Sequence, residues 1–215
     1  SNTTLSFVTY DDPYGLFSID IPSNWLVEHE SKDLFVAKNN GYWTEKISVE
    51  LSEDVSQYDG KSDNEIINLI ESYERDYCEE SSYDTDGFIC YNYNPLPAVK
   101  VENSESPLAV AENDDVEIFG MAQSYTKKFL LKNGEISNEE VIFAPLIEIH
   151  VNDDVWIVAA ESMNPTDSTT ALIDVMQSFR ILQTEITVPS EPPASNFAGA
   201  SESESKPSFV DEEKD

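Results

Sequence analysis

The sequence predicts an α+β domain, a mostly antiparallel sheet with helices packed on its faces. Three observations predict it. Segments with the two-residue apolar/polar period of half-buried strands recur throughout residues 1–188. Several are joined by short turn signals of the hairpin kind, Asn40-Gly41 and Asn133-Gly134 among them. Only two segments carry a helical period, one between strands and one after them, an order that segregates helices from an antiparallel sheet.

Taken in order, residues 17–21 (Phe-Ser-Ile-Asp-Ile) alternate as a strand, and Pro22-Ser23-Asn24 breaks it before an extended run at Trp25-Leu26-Val27. Residues 33–37 and 47–51 form the next two strands, around the turn Lys38-Asn39-Asn40-Gly41. Ser62-Asp63-Asn64-Glu65 has the Ser-x-x-Glu spacing of a capping box and starts a helix over 63–78. Ile66, Ile70, Tyr73 and Tyr77 fall on one helical stripe, with Leu69 beside them. After an acidic, turn-rich loop, 88–93, 98–101 and 116–131 are extended. The long last stretch closes on the hairpin turn Lys132-Asn133-Gly134-Glu135. Residues 146–151 and 155–163 make a hairpin around Asn152-Asp153-Asp154. Asp167-Ser168 caps a second helix whose inner face is Leu172, Val175, Met176 and Phe179, and 180–182 leave it as a short strand. Trp25, Ile66, Ile70, Trp156 and Phe179 are expected in the core.

Composition narrows the function classes. Hydrophobic residues reach 40%, with 10 Phe, 10 Tyr and 3 Trp, enough for a packed core. Asp and Glu number 43 against 12 Lys and Arg, a formal net charge of -31. Nucleic acids and anionic membranes are bound mainly through Lys and Arg, so this surface repels both. It is either a surface adapted to salt or to life outside a cell, or one that collects cations. The longest apolar run, 155–160, is strand-sized, far below the ~18–20 residues of a membrane span.

Cys78 and Cys90 are even in number, close in sequence and without companion histidines, which favours a disulfide over two buried thiols. The start, Ser1-Asn2-Thr3-Thr4, is what signal-peptide removal leaves, and equally what a chosen boundary leaves. Asn2 begins an N-glycosylation sequon. At Pro189 the composition turns to Pro, Ser, Glu and Ala without apolar period. Residues 189–215 are therefore expected to be a flexible acidic tail: a linker, a stalk, or a docking peptide around Phe197 or Phe209-Val210.

The motif Tyr14-Gly15-Leu16-Phe17-Ser18-Ile19-Asp20-Ile21-Pro22-Ser23-Asn24-Trp25 resembles the opening of PsbP-like domains, where a strand ends in Ile/Tyr-Pro-x-x-Trp. The far end is similar too: Trp156-Ile157-Val158-Ala159-Ala160, a helix, then Gln177-Ser178-Phe179-Arg180-Ile181-Leu182. The resemblance covers residues 5–183. It implies an α/β/α sandwich and an accessory role, docking on a larger assembly, and it carries over no catalytic residue. The two cysteines and the acidic tail depart from that pattern and point to a secreted relative of the kind found in archaeal envelopes.

Signals of catalysis are scarce. The sequence has no Gly-x-Ser-x-Gly elbow, Walker A loop, Gly-x-Gly-x-x-Gly or His-Glu-x-x-His. With 7 glycines, phosphate-cradling loops are not expected. His29 is expected in solvent at a strand end. His150 shares a strand face with Glu148 two residues away, as a solvent-facing pair or as two metal ligands. Asp84-Thr85-Asp86-Gly87 has the alternating carboxylates and Gly of a Ca²⁺ loop, but Ser82 and Tyr93 stand where an EF-hand wants Asp and Glu, so an ordinary Asp-Gly turn competes. Asp84 and Asp86 are the candidate metal ligands, with no other cofactor expected. Tyr42, Trp43, Tyr91 and Tyr93 are either a partner surface or cross-strand pairs. The expected function is a non-catalytic accessory or interaction module of the cell exterior, binding a protein of an envelope or membrane assembly. The alternative is an extracellular Ca²⁺ or small-ligand binder.

Overall fold

The structure, a computed structural model, describes residues 6–39, 44–52, 55–102, 116–163, 165 and 169–182. Asn2, Tyr42, Trp43, the turn at 113–115, the cap at 167–168 and the tail at 189–215 lie outside the described residues.

The strands are β1 (Phe7–Asp11), β2 (Phe17–Pro22), β3 (Trp25–Glu30), β4 (Leu34–Asn39), β5 (Glu45–Ser52), β6 (Phe88–Val101), β7 (Val116–Phe129), β8 (Glu140–Val151), β9 (Asp154–Met163) and β10 (Arg180–Ile181). The helices are α1 (Asp63–Glu79), the single turn α2 (Tyr83–Asp86) and α3 (Thr169–Gln177), with a 3₁₀ turn at Ser56–Tyr58. Seven strands form one sheet in the order β3-β4-β5-β9-β8-β7-β6, and β1-β2-β10 form a second. Every pairing within them is antiparallel. This is the α+β class expected, a mostly antiparallel sheet with helices on its faces, here split into two sheets.

One face of the large sheet packs on the small sheet and α3. Its centre is an aromatic cluster in which Phe17, Trp156 and Phe179 have ring centroids 5.6–5.9 Å apart. Each of the three segments that carry the family resemblance contributes one of these rings. Leu172, Val175 and Met176 complete the contact from α3, as their helical spacing predicts.

The opposite face receives α1. Ser62 caps it: its backbone N–H donates to the Glu65 carboxylate (2.8 Å) in the predicted capping box. Ile66 and Ile70 pack on Ala98, Phe119, Met121 and Leu146, and each such burial stabilises by roughly 1.5–3 kcal/mol. The rest of the predicted stripe is corrected. Tyr73 and Tyr77 are 51% and 46% exposed. The inward stripe advances by four residues instead, through Glu74 to Cys78, because the last turn is tied to the sheet by a Cys78–Cys90 disulfide with Cα atoms 4.8 Å apart. Among the described residues no helix is long and apolar enough to cross a membrane.

Four elements differ from expectation; one is β8, which begins at Glu140 where a start at 146 was expected. The exposed strand β1 was not expected; four of its five residues face solvent and leave little period to read. The stretches 88–93 and 98–101 are one strand at the sheet edge, irregular at Asn92 (φ 54°) and around Pro95 and Pro97. Edge strands tolerate proline because one side needs no N–H donor. The acidic loop after α1 contains α2, which Ser82 caps and Gly87 (φ 72°) ends. The two-residue turn Asn152-Asp153 joins β8 to β9 as predicted, with Asn152 at φ 53°.

Candidate binding pocket beneath the long helix

On the α1 side of the sheet, side chains of odd number in β7 and β9 and of even number in β5 and β8 share one face. That face is apolar under Ile66 and Ile70 and changes character toward the disulfide. There β7 presents Gln123, Tyr125 and Lys127, β9 presents Glu161, and β5 presents Lys46 opposite Glu161. From above, α1 lowers Glu74 and Tyr77 onto them.

Lys127 is 2% exposed. Its Nζ lies 3.1 Å from Glu161 Oε1 and donates to the Tyr77 hydroxyl at 3.0 Å. The ammonium sits over the Phe88 ring, 4.1 Å from the centroid, within the range of a cation–π contact. Tyr125 donates its hydroxyl to the same Glu161 oxygen at 2.9 Å. Lys46 approaches the other oxygen at 3.3 Å as an ion pair. Burial by itself raises the Glu161 carboxyl; Lys127, Lys46 and the Tyr125 hydrogen bond overturn this and hold it below its ordinary value. Burial first, then the Glu161 charge, pushes the Tyr125 phenol far up, so it stays a donor.

Glu74 is the opposite case. Gln123 Nε2 donates to its Oε2, and among the described residues no Lys or Arg is ion-paired with it. Burial raises its carboxyl, with the Gln123 bond only partly opposing. Gln123 is 3% exposed and its Oε1 has no partner. Gln123, Glu74, Glu161, Tyr77, Tyr125 and Lys46 line a cavity of about 200 Å³, with Ala144, Pro145 and Leu146 on its apolar side. A buried orphan acceptor is costly, roughly 1–3 kcal/mol, unless something in the cavity donates to it.

The sequence-predicted residues lie elsewhere. Cys78 and Cys90 are joined, and the bridge packs on Tyr125, Ile142 and Met163 at one end of this face. Asp86 Oδ2 accepts from the Ser82 N–H (2.9 Å) and the Thr85 hydroxyl (2.6 Å), contacts that hold its carboxyl below its ordinary value. Asp84 is exposed on the same helical turn. Tyr91 and Tyr93 have different surroundings: Lys128 lies over the Tyr91 ring, whereas Tyr93 packs beneath α1. The irregular pairing at Asn92 separates them. His29 is exposed, as expected. His150 and Glu148 do share a face, but they are enclosed. Glu148 is 3% exposed, His150 Nε2 lies 3.1 Å from Glu148 Oε1, and the Tyr58 ring covers the imidazole at 4.6 Å. The expectation of a solvent-facing pair is thus corrected, since the 3₁₀ turn folds over it. A wider cleft of about 850 Å³ opens beside this pair, lined by Asp59, Lys61, Lys100, Glu117 and Asp153. Among the described residues no three His, Cys, Asp or Glu side chains converge as a metal-holding group.

Sequence reasoning missed the Lys127–Glu161–Tyr125 network. A signal was present: Gln123, Tyr125 and Lys127 alternate with small residues in a strand, and Glu161 closes an apolar run. Charged residues at inward positions of central strands are rare unless paired.

No family model matches the chain, and no curated protein matches it. Among solved structures it is similar to a protein of Bacteroides thetaiotaomicron VPI-5482, at 12% identity and TM-score 0.43, over 81% of this chain and 48% of that one. The chain thus spans about half the length of that protein. It is also similar to the Ran-binding protein Mog1p of Saccharomyces cerevisiae, at 10% identity and TM-score 0.45, over 84% of this chain and 98% of that one. A mutant form of Mog1 gives the same figures. Likenesses this loose carry no argument about the chain.

Proposed function

We propose that the chain is a non-catalytic protein-interaction module of the cell exterior, docking on a basic region of a larger assembly. One observation carries the reading: six of the chain's 12 Lys and Arg residues are engaged by its own carboxylates. Lys38 pairs with Glu28, Lys46 and Lys127 with Glu161, Arg75 with Asp76, Lys100 with Asp63 and Glu117, and Lys128 with Glu139. Acids outnumber bases to a net charge of -31, and among the described residues the buried acids are Asp12, Glu148 and Glu161. A complementary partner must therefore supply positive charge. The Cys78–Cys90 bridge supports an oxidising compartment, where such bonds persist.

Cross-linking of the protein in its native envelope fraction tests this. A reproducible partner whose linked segments are Lys/Arg-rich, and whose association weakens as salt rises, is the expected result. A protein that stays monomeric and unlinked in native extracts at moderate salt would sink the reading. A second reading, an exterior small-ligand binder, is favoured by the 850 Å³ cleft of mixed charge beside His150. Saturable, salt-independent stabilisation by a small polar molecule would support it instead.

A further inference from the structure

We infer that the 200 Å³ pocket beneath α1 receives the guanidinium of an arginine side chain from the docking partner. This rests on the interaction reading above and names the anchor of that interaction. The pocket holds two acceptors without a hydrogen-bond donor, Gln123 Oε1 and Glu161 Oε2, the latter facing Lys46 as an ion pair, and one carboxylate without a counter-charge, Glu74, which has no ion-paired cation among the described residues. All three residues line the same cavity. Water would satisfy the amide oxygen but bring no charge to Glu74. A hard metal ion wants about six oxygens, more than these acceptors provide once Glu161 is engaged by Lys127, Lys46 and Tyr125.

Guanidinium fits the rest of the lining. Its five N–H donors can serve an amide oxygen and a carboxylate at once, and it is more weakly hydrated than ammonium, so entering a partly dry cavity costs it less. Its plane stacks on aromatic rings, which Tyr77 and Tyr125 supply. Its aliphatic stem matches the apolar wall at Ala144 and Pro145. Two cations face the site, and both are answered in advance: Lys46 and Lys127 are paired with Glu161.

The experiment titrates N-acetyl-L-arginine amide into the full, oxidised chain by calorimetry at constant ionic strength, with N-acetyl-L-lysine amide as the parallel probe. The arginine probe is expected to bind with an affinity on the order of millimolar and at least about tenfold tighter than the lysine probe. Glu74→Gln, which keeps size and hydrogen bonding, and Gln123→Met, which removes the orphan acceptor, are each expected to weaken it by about tenfold. Asp84→Asn, on the exposed α2 turn, should leave it unchanged. Melting curves confirm that each variant is folded. Absence of binding at on the order of 10 mM, or equal binding of both probes untouched by Glu74→Gln, overturns the inference. If the native partner still cross-links while the pocket variants have no effect, the docking reading stands and the arginine anchor falls. If the arginine probe binds but no partner is found, the pocket stands and the docking reading falls.

Discussion

Lys127 Nζ and Glu161 Oε1 are 3.1 Å apart inside the protein, joined across strands β7 and β9, which are not adjacent. β8 runs between them with Glu140 opposite Lys127 and Ala144 opposite Gln123, so the Lys127 side chain crosses β8 obliquely to reach Glu161. A charge pair reaching over a strand ties three central strands to one register. Its worth appears when it is broken. Lys127→Met leaves Glu161 short of a partner and is expected to destabilise by about 3–5 kcal/mol in urea unfolding. The double variant Lys127→Met/Glu161→Leu should lose less than the sum of the single changes, since no buried charge then lacks its partner. Strict additivity would show that the pair is uncoupled.

The bridge between Cys78 and Cys90 closes a loop with sequence separation 12. On the chain-entropy model it stabilises by about 3 kcal/mol. Intact mass without reductant should fall short of the dithiol by two hydrogens, and reduction should lower the unfolding midpoint. Reduction should also loosen Tyr125 and Met163, which pack on the bridge. Two free thiols in protein from an oxidising compartment would contradict it.

Acid titration separates Glu74 from Glu161. Glu161 titrates below its ordinary 4.5 in the folded chain, so its contribution is present above that value and is lost as pH falls through the depressed folded value. Glu74 titrates above 4.5, so its contribution is present below that value and is lost as pH rises through the raised one. Glu74→Gln is therefore expected to raise the melting temperature at neutral pH and to have little effect in acid. A variant less stable than the parent at neutral pH would mean that Glu74 already has its cation.

Millimolar Ca²⁺ is expected to leave the melting curve unchanged from that with chelator at constant ionic strength. The carboxylate of Asp86, half of the sequence-level candidate, accepts from Ser82 and Thr85 within its own helical turn. A Ca²⁺-dependent rise following the ligand-linkage law would restore Asp84 and Asp86 as ligands.

What could be read from the chain, and what could not, follows from locality. The capping box at Ser62, the turn at Asn152 and the inner face of α3 depend on residues within one turn of each other, and each was legible. Helical spacing alone places Tyr73 and Tyr77 inward; Tyr73 is half exposed, and Tyr77, nearly as exposed, still turns its hydroxyl under the helix onto Lys127. The direction in which α1 leans is decided by Cys90, eleven residues past its end, and by Gln123 on a distant strand. The pocket draws Lys46, Glu74, Gln123 and Glu161 from four elements, so no local pattern announces it. Only the burial of a Lys and a Glu in apolar strands hinted at a network. His150 was misplaced for the same reason: the lid over it, Tyr58, arrives from a separate turn.

The rims of the seven-stranded sheet bear on how the protein behaves when crowded. A 14-residue edge strand such as β6 is ordinarily an invitation to recruit another chain's strand and grow a fibre. Here Pro95 and Pro97 withhold two donors from that rim, and the kink at Asn92 bends it out of line. At the other rim β3 carries Glu28, His29 and Glu30 and a register shift between Val27 and His29. Both borders are unsuited to templating, and like-charged copies repel one another as well. The molecule is thus built to resist strand-on-strand growth at high concentration.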